Sequence, residues 1–280
     1  MAVGVAVSVL LDDPCPRVGV TVTGLGTASA SVVSVWRVAD GERNPVRGAR
    51  RTTMTDSSYV VDFDAPLGRP ITYEVEVISG PSGASRVTSS SVTVNSLTGW
   101  LMDPLIPQSA VAIAEPQDAN GRPIFAAAAM SSLEYKSDVA VYQILGSDKP
   151  MALFGQRMAA AGVDLSMITD AAEENARLRN LFMSTANLLV RLPAAWTVSL
   201  PGSCFAAVAG VSEKPVEHGA EGALTVWQLT GDTVAAPTIK VLTATFTYGD
   251  VELLFTTYQQ KQTLMAGKKY LDDLKNPLGG

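Results

Sequence analysis

The chain offers few residues whose type and spacing could do chemistry. His218 is its only histidine. A Ser-His-Asp or Cys-His relay would have to use it, with Cys204 fourteen residues upstream. It stands in Glu217-His218-Gly219-Ala220, a turn-like segment, and reads as an exposed turn histidine. A single histidine also excludes a multi-histidine metal site. The two cysteines, Cys15 and Cys204, lie in different halves without metal-ligand spacing, which argues against a disulfide scaffold and for synthesis in a reducing compartment. Asp12-Asp13, Asp62-x-Asp64 and Asp272-Asp273 are the acidic pairs. A calcium site needs about six oxygen ligands or more from a shaped loop, so these read as solvated turn charges. A glycosidase-type carboxylate pair is spatial rather than sequential, and nothing marks one. Gly24-Leu25-Gly26 lacks the third glycine and the helix of a nucleotide loop, and no Walker-type Gly-Lys-Ser/Thr occurs. The expectation is a protein that is not an enzyme, with no catalytic, metal or cofactor-binding residues.

The remaining candidates suit binding between subunits. Arg157 and Arg191 flank a helix signal inside Pro150–Pro193; they read as surface or strand-end arginines, or as partners in inter-subunit ion pairs. Trp100, Leu101 and Leu105 lie in an apolar stretch, 97–107, that also carries Pro104 and Pro107. The prolines predict no regular structure there. An apolar connector must pack on something, either the second domain or a neighbouring subunit, so the joint is expected to be stiff. Tyr248, Phe255 and Tyr258 recur at helical spacing near the C-terminus, a stripe that packs or lines a groove.

Composition narrows the class. Charged residues are only 17% of the chain against 47% hydrophobic, leaving much neutral surface of the kind that partner subunits cover. Net charge is −6 and the densest basic stretch is Arg43, Arg47, Arg50 and Arg51, which speaks against nucleic-acid binding. No apolar run reaches the roughly 20 residues of a membrane helix. The N-terminus alternates Val with small residues and reads as a strand rather than a signal peptide.

Hydrophobic alternation predicts a mainly β protein. In 1–96, strands fall at Val3–Val9, Val18–Val22, Val32–Val38, Val46–Thr53, Tyr59–Phe63, Ile71–Val77 and Ser90–Val94, with Asp40-Gly41 as a strong turn signal and 79–90 as a hairpin loop. That is the pattern of a small β-sandwich. After the connector, 108–237 reads as a second β-rich barrel or sandwich domain. Its strands are Val111–Ala114, Ile124–Ala128, Val139–Ile144, Met151–Phe154, Leu188–Leu192, Thr197–Leu200, Cys204–Val211 and Leu224–Leu229. One helix near 170–186 is inserted, capped by Thr169 or by Asp170 in a capping box with Glu173; Leu178, Leu181, Phe182 and Thr185 form its packed stripe. The tail, 238–280, carries a second helix signal starting at Thr247-Tyr248-Gly249-Asp250. Pro150–Pro193 is the middle of the β-domain on this reading, holding the helix to the strands and offering Arg157 and Arg191 to a neighbour.

Two resemblances go further. Leu67-Gly68-Arg69-Pro70-Ile71-Thr72-Tyr73-Glu74-Val75 is similar to the approach to the sixth strand of fibronectin type III and immunoglobulin-like domains, with Tyr73 placed like the corner tyrosine, whose hydroxyl caps a loop carbonyl. Trp36 departs from that pattern, lying on the third strand rather than the second. Over nearly the whole chain, the order of several short blocks resembles minor tail proteins of long-tailed actinobacteriophages. The blocks are Val35-Trp36-Arg37 with Asp40-Gly41 and Pro45-Val46-Arg47-Gly48; Trp100-Leu101-Met102-Asp103-Pro104-Leu105; Phe154-Gly155-Gln156-Arg157; Leu188-Leu189-Val190-Arg191-Leu192-Pro193; Val208-Ala209-Gly210-Val211; Leu224-Thr225-Val226-Trp227-Gln228-Leu229; and Thr247-Tyr248 with Asp250-Val251. The resemblance implies a virion structural protein of the distal tail or tail tip. It would form a homo-oligomeric ring of three- or six-fold symmetry and contact the tail tube, tape measure and tail hub. The alternative is a carbohydrate-binding or adhesion module meeting host-wall glycan, which predicts an exposed aromatic platform among Trp36, Trp100, Trp196 and Trp227.

Overall fold

A computed structural model describes residues 2–145, 148–157, 160–196, 199–216, 223–237, 255, 257–264 and 266. The chain is mainly β, in several antiparallel sheets with no closed barrel.

The first half folds as two sheets on one core. β1 (Gly4–Leu10), β2 (Arg17–Thr23) and β6 (Ser58–Asp62) form one sheet. β3 (Ser31–Ala39), β4 (Glu42–Pro45), β7 (Pro70–Ser79) and β8 (Ser85–Thr88) form the other in the order β4-β3-β7-β8; β5 (Thr52–Met54) pairs with β3 and β9 (Val92–Thr93) with β7. Alternation decides the faces. Val18, Val20 and Val22 of one sheet meet Val33, Val35, Tyr73 and Val75 of the other in a single buried cluster, each worth about 2 kcal/mol of transfer free energy. Asp40 (φ 53°) and Gly41 (φ 81°) make a two-residue turn between Ala39 and Glu42, the left-handed pair that matches strand twist. The expected loop 79–90 contains β8, a polar strand at the sheet's edge.

The second half is built on an open eight-stranded sheet. Its strands are β10 (Gly99–Asp103), β11 (Ile106–Ile113), β12 (Ile124–Phe125), β15 (Val163–Asp164), β16 (Met167–Thr169), β17 (Asn187–Arg191), β18 (Ser203–Pro215) and β19 (Thr225–Val234), ordered β11-β10-β17-β18-β19-β16-β12 with β15 beside β19. The stretch expected to lack regular structure is therefore a β-hairpin of this sheet. Pro104 sits between its two strands. Pro107 sits in β11, the edge strand, where a missing N–H costs least. Helix α1 (Ala172–Ser184) packs Leu178 and Leu181 into a core with Leu101, Val190 and Trp227.

The expected helix cap is corrected. Ala171 is the N-cap, with no side-chain cap bond. The Thr169 hydroxyl instead donates to Asn175 Oδ1 and accepts from Trp227 Nε1 at 3.1 Å, while Asn175 Nδ2 donates to the Ala223 carbonyl at 2.6 Å. Burial of Trp227 demands an acceptor for its indole N–H, and that demand takes the threonine.

Among the described residues, one hairpin belongs to none of these three sheets: β13 (Ser137–Tyr142) and β14 (Met151–Arg157) pair only with each other. Helix α2 (Tyr258–Leu264) is the described part of the tail.

Candidate assembly site

The two halves meet through a buried, arginine-rich joint. Arg191 ends β17, inside the apolar run Leu188–Leu192, and is 0% exposed. Its Nε donates to the Ala65 carbonyl at 2.9 Å and its Nη1 to the Pro16 carbonyl at 2.6 Å. Both acceptors belong to the first half. A buried cation is tolerated where hydrogen bonds replace its hydration; here the backbone of the sandwich supplies two, and Nη2 has none among the described residues. Burial pulls the Arg191 pKa below its usual value, against the opposing pull of Cys15, Asp62 and Asp64. The arginine expected to face a neighbouring subunit is thus enclosed by its own chain.

Neighbouring arginines complete the joint. Arg37 Nη1 donates to both Asp62 carboxylate oxygens, at 2.9 and 3.0 Å. Burial alone would lower the Arg37 pKa, but Asp62 and Asp64 raise it. Arg47 Nε donates to Asp64 at 2.9 Å, its Nη1 reaches the Pro104 carbonyl across the joint, and its guanidinium lies 5.8 Å from the centre of the Phe205 ring. The Tyr73 hydroxyl donates to Asp62 at 2.9 Å, so it binds a side-chain carboxylate rather than a loop carbonyl. Burial, and next the Asp62 charge, push its pKa well above the ordinary value. A small apolar cluster from both halves, Cys15, Phe63, Met102, Leu189 and Phe205, fills the space beside these polar groups. The Ala194 N–H donates to the Leu67 carbonyl at 3.1 Å, adding a backbone link.

Trp100, Leu101 and Leu105 belong to this region. Leu101 is buried in the second core, Trp100 is half-buried against the sandwich core and the joint cluster, and Leu105 is half-buried at the turn. The four tryptophans offer no open platform. Trp227 is buried, Trp196 packs edge-on to Phe125 at 6.2 Å, and Trp100 is half-buried. Trp36 points away from the core, with the Arg43 guanidinium 3.9 Å from its ring centre and its Nε1 donating to Glu76 at 3.0 Å. His218 and Tyr248 lie outside the described residues. Phe255 is half-buried, and Tyr258 opens α2. Arg157 closes β14 opposite Ser137.

Among the described residues, exposed apolar side chains gather on the β13–β14 hairpin. Its register, Val139↔Phe154, Ala140↔Leu153, Val141↔Ala152 and Tyr142↔Met151, puts Val139, Val141 and Phe154 on one face and Tyr142, Met151 and Leu153 on the other. All six are exposed, Phe154 at 76%, and Leu145 beyond them is fully exposed. Reading these segments as strands was right, but they do not join the domain's sheet. A strand apolar on both faces is the pattern of a sheet covered on both sides, and a lone hairpin is marginal in water.

Compared with known proteins, the chain matches no family model and no curated protein.

Proposed function

We propose that the protein is a structural subunit whose work is assembly, acting in a phage tail at the distal end or tip, in a ring or collar that links the tail tube to the host-contact apparatus. The observation that carries assembly is the hairpin, with exposed apolar side chains on both faces and no cover among the described residues. Exposed apolar patches of this extent mark interaction sites. The joint supports the same reading. A sandwich tied to a sheet by Arg191, Arg47 and the mixed apolar cluster behaves as one stiff body, the property a load-bearing collar needs. The phage setting rests on the ordered blocks of sequence similar to minor tail proteins. The glycan-binding reading lacks an open aromatic face at the four tryptophans.

Size-exclusion chromatography with light scattering tests this reading, together with images of purified tails. The expected result is a closed oligomer and a ring of three- or six-fold symmetry. A strictly monomeric protein absent from virions overturns it.

A further inference from the structure

The hairpin's edges, unpaired among the described residues, have a counterpart in the same chain. β18 pairs with β17 only over Ser203–Ala207, yet it continues to Pro215. Beyond the bond from Val208 N–H to the Ala186 carbonyl, its distal half has a strand neighbour on the β19 side alone among the described residues. A groove of about 400 Å³ runs along that edge, walled by the C-terminal half of α1. Phe182 and Trp227, 5.5 Å apart between ring centres, form its floor, and Met183, 83% exposed, forms its lip with Val211. The Arg179–Glu213 ion pair crosses one end. An unpaired edge beside an apolar trough is the receptor geometry for strand addition, in which backbone bonds give affinity and side-chain pockets give register.

We propose that the β13–β14 hairpin of one copy docks in the α1–β18 groove of a second copy, adding β14 to the free edge of β18. This rests on the assembly reading and names its partner. Two observations select a second copy. The lengths agree: β14 has 7 residues, and the unpaired part of β18 runs from Ala209 to Pro215. The chemistry also agrees, because the hairpin's exposed side chains and the groove's Phe182, Met183 and Val211 are apolar alike. Donor and receptor are different surfaces of one chain, so the contact is head-to-tail and closes into a ring when the rotation allows. One face of the hairpin meets Met183, Phe182 and Val211. The other face stays available to a third component.

Site-directed crosslinking tests the proposal on the full chain. Chains bearing Gln156→Cys and chains bearing Met183→Cys are mixed and treated with a short bis-maleimide. Cys15 and Cys204 are buried and stay silent, since protonated buried thiols react poorly. The expected result is a crosslinked dimer as the main product of the mixture and only a trace with either variant alone. Met183→Asp, at an exposed position, is expected to weaken self-association roughly tenfold or more. An oligomer that gives no mixed crosslink and is indifferent to Met183→Asp overturns the docking and leaves the assembly reading standing. A chain monomeric at every concentration overturns both.

Discussion

The joint and the hairpin invert the usual placement of side chains. At the joint, Arg191, Asp62 and Asp64 are buried. On the hairpin, Val141, Leu153 and Phe154 are exposed. The difference lies in where the partners are. Every charge named at the joint has a partner within the chain, so its burial tolerates little change. The hairpin's side chains have no cover among the described residues, so the folded subunit is nearly indifferent to them. One region spends its specificity on holding a subunit together, and the other keeps its own for a neighbour.

Three experiments would break or sharpen that contrast. The largest effect is expected at Arg191. Arg191→Met strands the Ala65 and Pro16 carbonyls in a dry interior and should cost about 3 kcal/mol or more, read as a lower urea midpoint. A loss below about 1 kcal/mol would mean that the joint is not the tie described.

Alkali should weaken the fold next. The Cys204 thiol is pushed by burial from 9.0 to about 11, and burial also raises Cys15 and, well above its ordinary value, Tyr73. Groups with raised folded pKa values hold their protons in the native state after the unfolded chain has released them. The Cys204 contribution is therefore fully present below pH 9.0 and is lost as pH rises toward 11, by about 1.4 kcal/mol per pH unit. Urea midpoints measured across that range should slope downward, and Cys204→Ala should flatten the slope. An unchanged slope would show that this thiol is not held protonated by the fold.

The smallest effect on folding is expected at the hairpin. Val141→Asp should leave the unfolding free energy of the isolated subunit within about 0.5 kcal/mol while abolishing self-association. A large loss of stability would show that the hairpin packs on its own chain and would erase the contrast.

Much of the fold was legible in the residues. Strict alternation in Tyr73-Glu74-Val75-Glu76-Val77 marked β7, Asp40-Gly41 marked the turn from β3 to β4, and Leu178 with Leu181 marked the packed face of α1. Polar Ser85–Thr88 hid β8, because an edge strand needs no apolar stripe. Pro104 and Pro107 hid β10 and the start of β11, whose end was read at Val111–Ala114, because proline forbids a central strand but not a turn or an edge. Arg191 carried a signal that was open to use: an arginine enclosed by Leu188–Leu192 lies where its neighbours lie, in the interior. The hairpin carried none. Val139–Ile144 and Met151–Phe154 have the composition of core strands, and composition is blind to whether cover comes from the same chain or another.

The bonds of Arg191 also order events in time. Its partners Ala65 and Pro16 stand 126 and 175 residues earlier. Contacts of such separation form late, because a long loop must close before they reward it. During synthesis the sandwich can close on its own valines, but Cys15, Phe63 and Ala65 wait uncovered until the residues near 190 have emerged. The nascent chain thus passes through an interval with a sticky, arginine-hungry seam, the point at which a chaperone would have most to protect.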